Sequence, residues 1–232
     1  QMKKVISIVK ENLDFNSSKT LKESVYEAFR KSIVLGFIPA GTRINENECS
    51  ELLNLSRTPI RYAMNQLTSE NLVTRVPKIG IIVKGISIKD AHEIYEIRKW
   101  LDTLASIKAM EKMTEEDFDE MKKIIDEAYY YDELEEIDKV IKNFKKFNDF
   151  IYRKSDMKRL TAIVNQFKTY FKYFREISLL SDQRRKEAIF EHSMIYRGMK
   201  NRDINQITLI THEHLQHSQE FVISEMEKNH IE

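Results

Sequence analysis

The sequence predicts a mainly α-helical protein in two parts: a three-helix unit closed by a β-hairpin, then a longer all-α antiparallel bundle. Three observations carry this. The 232 residues include only 5 Gly and 3 Pro, while 32% of positions are charged, a balance that favours helix over loop or disorder. Apolar residues recur at helical spacing along most of the chain, and the pattern turns to short β-rich runs only between Leu72 and Lys84. Beyond Gly85 no glycine occurs until Gly198. The length suits two modest domains with a core each, placed at 1–87 (core 18–87) and 88–232.

Taken in order, Thr20 followed by Glu23 makes a capping box for a helix with the stripe Leu21, Val25, Phe29, Ile33. Gly36, Pro39 and Gly41 break it. Asn45 with Glu48 opens a short second helix that carries Leu52 and Leu53 and ends at Asn54, a residue that tolerates a left-handed backbone. Ser56 caps a third helix, with Pro59 in its first turn, where a missing N–H costs little. That helix sets Ile60, Ala63, Met64 and Leu67 on one side. Leu72–Val76 and Ile81–Lys84 then flank Pro77-Lys78-Ile79-Gly80 as a hairpin. Three helices and a hairpin is the order of a winged helix-turn-helix. From Ser87 and Asp90 onward six or seven helices are expected, with breaks near Met113–Thr114, Tyr131–Asp132, Ser155–Asp156, Leu180–Asp182 and Lys200–Asp203.

Charge and cysteine content narrow the classes. Residues 1–88 carry 13 Lys and Arg against 8 Asp and Glu, whereas the remainder carries 25 against 29. A basic first third on an acidic remainder fits a part that meets a polyanion. The single cysteine, Cys49, forms no internal disulfide and fits a reducing, cytoplasmic setting. No stretch of about 18 apolar residues exists, and the opening residues to Phe15 read as neither signal peptide nor membrane anchor.

On the third helix, Arg57, Arg61 and Asn65 fall at i, i+4 and i+8, with Thr58 beside them, opposite the apolar side. A major groove requires this arrangement, one side anchored in a core and the other offering forked donors to guanine edges and phosphates. A merely solvated helix face is the alternative for such a helix alone. The short helix and turn before it, and the hairpin after it, favour DNA. The run Val25–Ser87, which contains Ser56-Arg57-Thr58-Pro59-Ile60-Arg61 and a wing-tip Gly80, closely resembles the winged-helix domain of the GntR family over 63 residues without a gap. The resemblance implies DNA contacts by Arg57, Thr58 and Arg61, and a close backbone approach to the minor groove at Gly80. Asn47 stands where the family often has a DNA-contacting arginine, and Asn54 where it has a turn glycine. Arg75 and Lys78 are further expected wing contacts.

In the second part, four polar residues interrupt apolar stripes: Arg98, Asn148, His192 and His214, each on a different expected helix. Burial of such groups requires partners, so a bundle that converges them makes one polar cavity. Core histidines bonded to carbonyls, or an arginine paired with Glu191, are the plainer alternative. Asp90 to about Ser224 resembles the FCD ligand-binding domain of the FadR-type branch of GntR regulators, through Tyr95-Glu96-Ile97-Arg98 and Glu191-His192-x-x-Ile195. Its length matches the seven-helix version.

In much of that family a divalent metal of the zinc, nickel or manganese class is held by an Asp, a His four residues later, and two further His. The last pair maps onto His192 and His214, 22 residues apart. Phe144 replaces the Asp, and Asn148 replaces the first His, so Asn148, His192 and His214 are the remaining ligand set, with only an amide oxygen in place of imidazole. A metal-free carboxylate pocket is the competing reading, with Arg98 as a fixed fork and the histidines as donors. Tyr152 and Arg175 join the expected pocket, whereas Tyr95 and Trp100 are read as core. The effector expected is a di- or tricarboxylate such as citrate.

Together these readings describe a homodimeric transcription regulator that binds a near-palindromic duplex under control of a small acid. Two other classes remain to be separated from it. One is a metal-dependent enzyme on the helical part, although no HExxH, P-loop or dinucleotide fingerprint occurs. The other is a helical interaction protein that binds nucleic acid without sequence preference.

Overall fold

The computed structural model describes residues 2–13 and 19–228, apart from the Thr169 side chain; the expected core boundary at residue 18 lies outside them. Among the described residues there are ten α-helices and a three-stranded sheet, divided into two compact units. Of the described residues, one unit takes 2–13, 19–88 and 225–228, and the other takes 89–224.

The first unit begins with α1 (Met2–Glu11), which the sequence reading passed over. Its Met2, Val5, Ile6 and Val9 are all buried and lie at i, i+3, i+4 and i+7, an amphipathic pattern split by lysines. Then α2 (Leu21–Val34) starts at the expected box, the Glu23 carboxylate accepting from the Thr20 N–H at 2.9 Å and from its hydroxyl at 2.7 Å. Strand β1 (Arg43–Ile44), too short to leave a periodic signal, precedes α3 (Glu46–Leu53). The Asn45 side chain caps α3 by accepting from the N–H groups of Asn47 and Glu48. The helix ends at Asn54, whose φ of 55° is the left-handed conformation expected there.

Helix α4 (Arg57–Ser69) packs chiefly on α2. Its Ile60, Ala63, Met64 and Leu67 are fully enclosed, as are Val25 and Phe29 on α2. A polar clamp adds to this burial: buried Arg30 on α2 pairs through Nε with Glu70 at 3.0 Å, just past the end of α4, and the Tyr26 hydroxyl donates to the same carboxylate. β2 (Val73–Val76) and β3 (Gly80–Val83) form the hairpin, and β1 adds antiparallel to the other edge of β3, giving the order β1-β3-β2. The turn runs through Lys78 at φ 64° and Gly80 at φ 110°.

The second unit holds six helices, within the six or seven expected: α5 (Ile88–Lys112), α6 (Glu115–Glu133), α7 (Ile137–Ser155), α8 (Lys158–Ser178), α9 (Asp182–Lys200) and most of α10 (Ile204–Lys228). Four of the five expected breaks fall at their junctions; the one near Tyr131–Asp132 lies in the last turn of α6, which ends at Glu133. Thr114 caps α6 in a reciprocal pair with Asp117, and Ser181 caps α9. A core of Ala128, Val140, Phe144, Leu179, Ala188 and Ile189 joins α6, α7 and α9 with the turn after α8. At its edge Arg185, 4% exposed, pairs through Nε with Asp132 at the end of α6. It also donates to the Leu179 carbonyl at 3.2 Å and to Asp182 at 2.9 Å. Trp100 is not a core residue: it is 61% exposed on α5, its ring edge-on to His212. Tyr95 is core, fully enclosed, stacked on Phe174 and bonded to Ser218 at 2.8 Å.

Candidate DNA interface and effector site

Arg57, Thr58, Arg61 and Asn65 are all exposed on α4, on the side away from its enclosed apolar residues. Neither Arg57 nor Arg61 makes an ion pair or hydrogen bond among the described residues. Their guanidinium groups therefore meet solvent, the state a groove-reading helix needs before it meets a duplex. Lys78 and Gly80 are exposed at the wing tip. Arg75 is differently engaged: it forks onto Glu46 at 3.1 and 3.2 Å and donates to the Asn65 side chain at 3.0 Å. These bonds tie the wing to the N-terminus of α3 and to the outer face of α4.

In the helical unit the structure gathers five of the six expected effector residues around one aromatic-lined region. Arg98, 5% exposed, gives Nε to Asp102 at 3.0 Å, and its guanidinium lies over the Phe171 ring at 4.6 Å. The Tyr152 hydroxyl donates to the other Asp102 oxygen. The two terminal nitrogens of Arg98 make no hydrogen bond among the described residues, and Arg175 makes no ion pair among them. Burial, reinforced by the Arg98 charge, pulls the Arg175 guanidinium down to about 10. His192 stacks on Phe147 at 3.9 Å between centroids, with Phe144 at 4.3 Å and His214 at 4.8 Å. Asn148 is partly exposed and makes no hydrogen bond among the described residues, so it is not drawn into the cluster.

Arg184 and Asp102 are the members that sequence reasoning missed. Arg184, 4% exposed, donates through Nη2 to Glu191 at 2.7 Å and to the His214 carbonyl at 3.2 Å. Glu191 also receives His214 Nδ1 and His217 Nδ1, each at 2.6 Å. Burial would push the Glu191 carboxyl up, but the His214 bond and the Arg184 charge outweigh it and hold it at about 2. The i, i+7 spacing of Arg184 and Glu191 on one helix was the available sign, since two turns return to the same face.

Burial pushes His192 well below its usual 6.5, and the charges of His214, Arg184, Arg98 and Arg175 push it further; burial also lowers His214 against the pull of Glu191. Both rings are thus neutral in the fold at neutral pH. A histidine whose folded value is depressed binds protons more readily when unfolded, so its contribution is complete above 6.5 and is lost as pH falls below that. Thermal melts are expected to show the helical unit losing stability on acidification through that window. His192→Leu should flatten the profile, and an unchanged slope in that variant would remove His192 as its source.

These residues do not fit the divalent metal that the resemblance implied. A phenyl ring has no lone pair, and Phe144 and Phe147 line His192 with hydrocarbon. With Asn148 outside the cluster, His192 and His214 are the two members of the expected ligand set that lie together. Among the described residues no group of three or more His, Cys, Asp or Glu is placed to hold an ion.

A winged helix with an unpaired basic reading face, joined to a helical unit with an enclosed cationic cluster, defines a ligand-responsive DNA-binding protein. Comparison with known proteins agrees. The bacterial regulatory proteins of the gntR family match at residues 21–83, and the FCD domain matches at residues 93–217. The chain belongs to the gntR family of bacterial transcription regulators, in its FCD-bearing branch; it is a regulator and not an enzyme.

The HTH-type transcriptional regulator YdhC of Bacillus subtilis is 26% identical over 201 residues, covering 83% of this chain and 89% of its own. A gluconate operon transcriptional repressor of Bacillus licheniformis is 25% identical over 179 residues, covering 75% of this chain and 73% of its own. The structure of Escherichia coli McbR/YncC shares the fold with a TM-score of 0.64 at 21% identity, covering 89% of this chain and 98% of that one. No helix among the described residues is long and apolar enough to cross a membrane.

Proposed function

We propose that this regulator binds a near-palindromic operator as a homodimer, and that a small organic acid bound in the helical unit sets its grip on DNA. The observation that carries the acid is the surplus of positive charge in an enclosed site. Arg98 keeps both terminal nitrogens available, and Arg175 makes no ion pair among the described residues. Asp102 and Glu191 are already bound to Arg98 with Tyr152 and to Arg184 with the histidines. Such a site is completed by an anion that supplies carboxylate oxygens to guanidinium forks. His192, neutral at physiological pH, offers its one ring N–H to the same ligand, while His214 gives its own to Glu191. Two guanidinium groups beside two imidazoles favour a di- or tricarboxylate such as citrate, held without metal. A relative that represses the gluconate operon is in keeping with carboxylate chemistry.

The acid shifts operator affinity only through a difference in its affinity for the DNA-bound and free arrangements of the protein. A thermal-shift screen of organic acids, with and without added divalent metal, tests this. An acid at a hundredfold excess over its Kd should add about 2.7 kcal/mol of stability, independent of metal. Arg98→Ala should abolish that gain while the unit still folds, because Tyr152 continues to donate to Asp102. A ligand-induced rise in Tm that survives in Arg98→Ala would remove Arg98 from the site.

A further inference from the structure

We propose that Arg43, on the short strand β1, is a DNA-contacting residue that clamps a backbone phosphate in the cleft beside the wing. This rests on the DNA-binding reading and adds a contact outside the reading helix. The two residues of β1 pair with Ile82 and Ile81 of β3, and successive side chains on a strand point to opposite faces. Ile44 goes inward, 1% exposed, which leaves Arg43 on the outer face. Its Nε lies 3.7 Å from where a Cβ on Gly80 would sit, so the guanidinium lies against the glycine of the wing tip.

The two border a cleft of about 190 Å³, whose other walls include Asn47, Arg75 and Ile79. Two cations line that cleft, and their states differ. Arg75 is neutralised by Glu46 and bonded to Asn65. Arg43 has no ion pair or hydrogen bond among the described residues. Glu46 also lines the cleft but is taken up by Arg75; an exposed arginine held at a strand edge, with no acid paired to it and bare backbone next to it, suits a phosphodiester oxygen. The guanidinium supplies charge and paired donors, and Gly80, lacking a Cβ, lets the sugar–phosphate chain come close. Contacts to phosphate fix register and affinity without reading sequence. The role of Arg43 is therefore distinct from that of Arg57 and Arg61.

The test is titration of the full chain against a mixed-sequence duplex and against a duplex enriched from random sequence, over a range of salt concentrations. Arg43→Ala should weaken both complexes by a similar factor. It should also reduce the slope of log K against log salt by about 0.9 for each bound protomer. Arg43→Lys should keep the slope, since a point charge suffices. Arg57→Ala, in contrast, should erase the difference between the two duplexes. The outward position of Arg43 means that the Tm of the variants should match wild type. Affinity and salt slope unchanged in Arg43→Ala would overturn the assignment while leaving the regulator reading intact. Failure of the wild-type chain to bind either duplex would overturn both.

Discussion

Arg57→Ala is expected to abolish specific operator binding while leaving the fold and the dimer unchanged. Arg57 heads α4 on its exposed side and has no partner among the described residues, so its removal leaves no buried group unsatisfied. It stands at the N-terminal end of α4, the end that meets base edges in this class of reader. A bidentate contact of arginine with guanine discriminates by about 1–3 kcal/mol. Two symmetry-related copies double this to about 2–6 kcal/mol, a loss of roughly 30-fold at the least. Binding to unrelated duplex rests on phosphates and should fall far less. Band shifts on the two duplexes, with thermal melts as the check on folding, measure both effects. A specific shift that survives in Arg57→Ala would mean that α4 does not read the groove.

The largest effect on stability is expected from Arg185→Met. Arg185 is nearly enclosed and holds three acceptors, Asp132, Asp182 and the Leu179 carbonyl. It ties the start of α9 to the end of α6 and to the turn after α8, and α9 is the helix that carries Glu191 and His192. The substitution keeps the bulk of the side chain but strands Asp132, whose side chain is 8% exposed, without its cation. Breaking a buried pair from one side costs about 3–5 kcal/mol, enough to lower the Tm of the helical unit by about 10 °C or more. Replacing both partners, Arg185→Met with Asp132→Leu, should recover most of that loss, because no unpaired charge then remains. Equal destabilisation by the single and double variants would show that packing, rather than the ion pair, holds this corner.

What the residues reveal on their own, and what they conceal, follows from the range of each interaction. Caps and turns are local: Thr20 with Glu23, Asn45 with Glu48, and the left-handed Asn54 all act within one turn of chain, and all were legible. So was the two-sidedness of α4, since a helix face needs only the spacing of Ile60, Met64 and Arg61. Helix α1 was passed over because its Val5, Ile6 and Val9 are interspersed with lysines, and β1 because two residues carry no period.

Partners far apart in sequence leave no local mark. The Arg75–Glu46 pair spans 29 positions, and the Arg185–Asp132 pair spans 53. Arg75 therefore read as a free wing cation, and Arg185 did not stand out at all. Trp100 read as core because a large apolar side chain on a helix is more often turned inward, yet its own position is turned outward. In the effector cluster, polar residues inside apolar stripes pointed to Arg98, His192 and His214. The stripes could not show that Asp102 and Glu191 already engage some of that charge, or that Phe144 and Phe147 cover His192.

The claim on which the rest depends is that the face of Arg57, Thr58 and Arg61 reads duplex DNA as one half of a two-fold pair. Selection from a random-sequence duplex pool with the purified full chain addresses it most directly. An inverted repeat should be enriched, its half-sites about one helical turn apart or a multiple of that, and Arg57→Ala should enrich nothing. Enrichment of no motif by the wild-type chain, or of the same motif by Arg57→Ala, would contradict it.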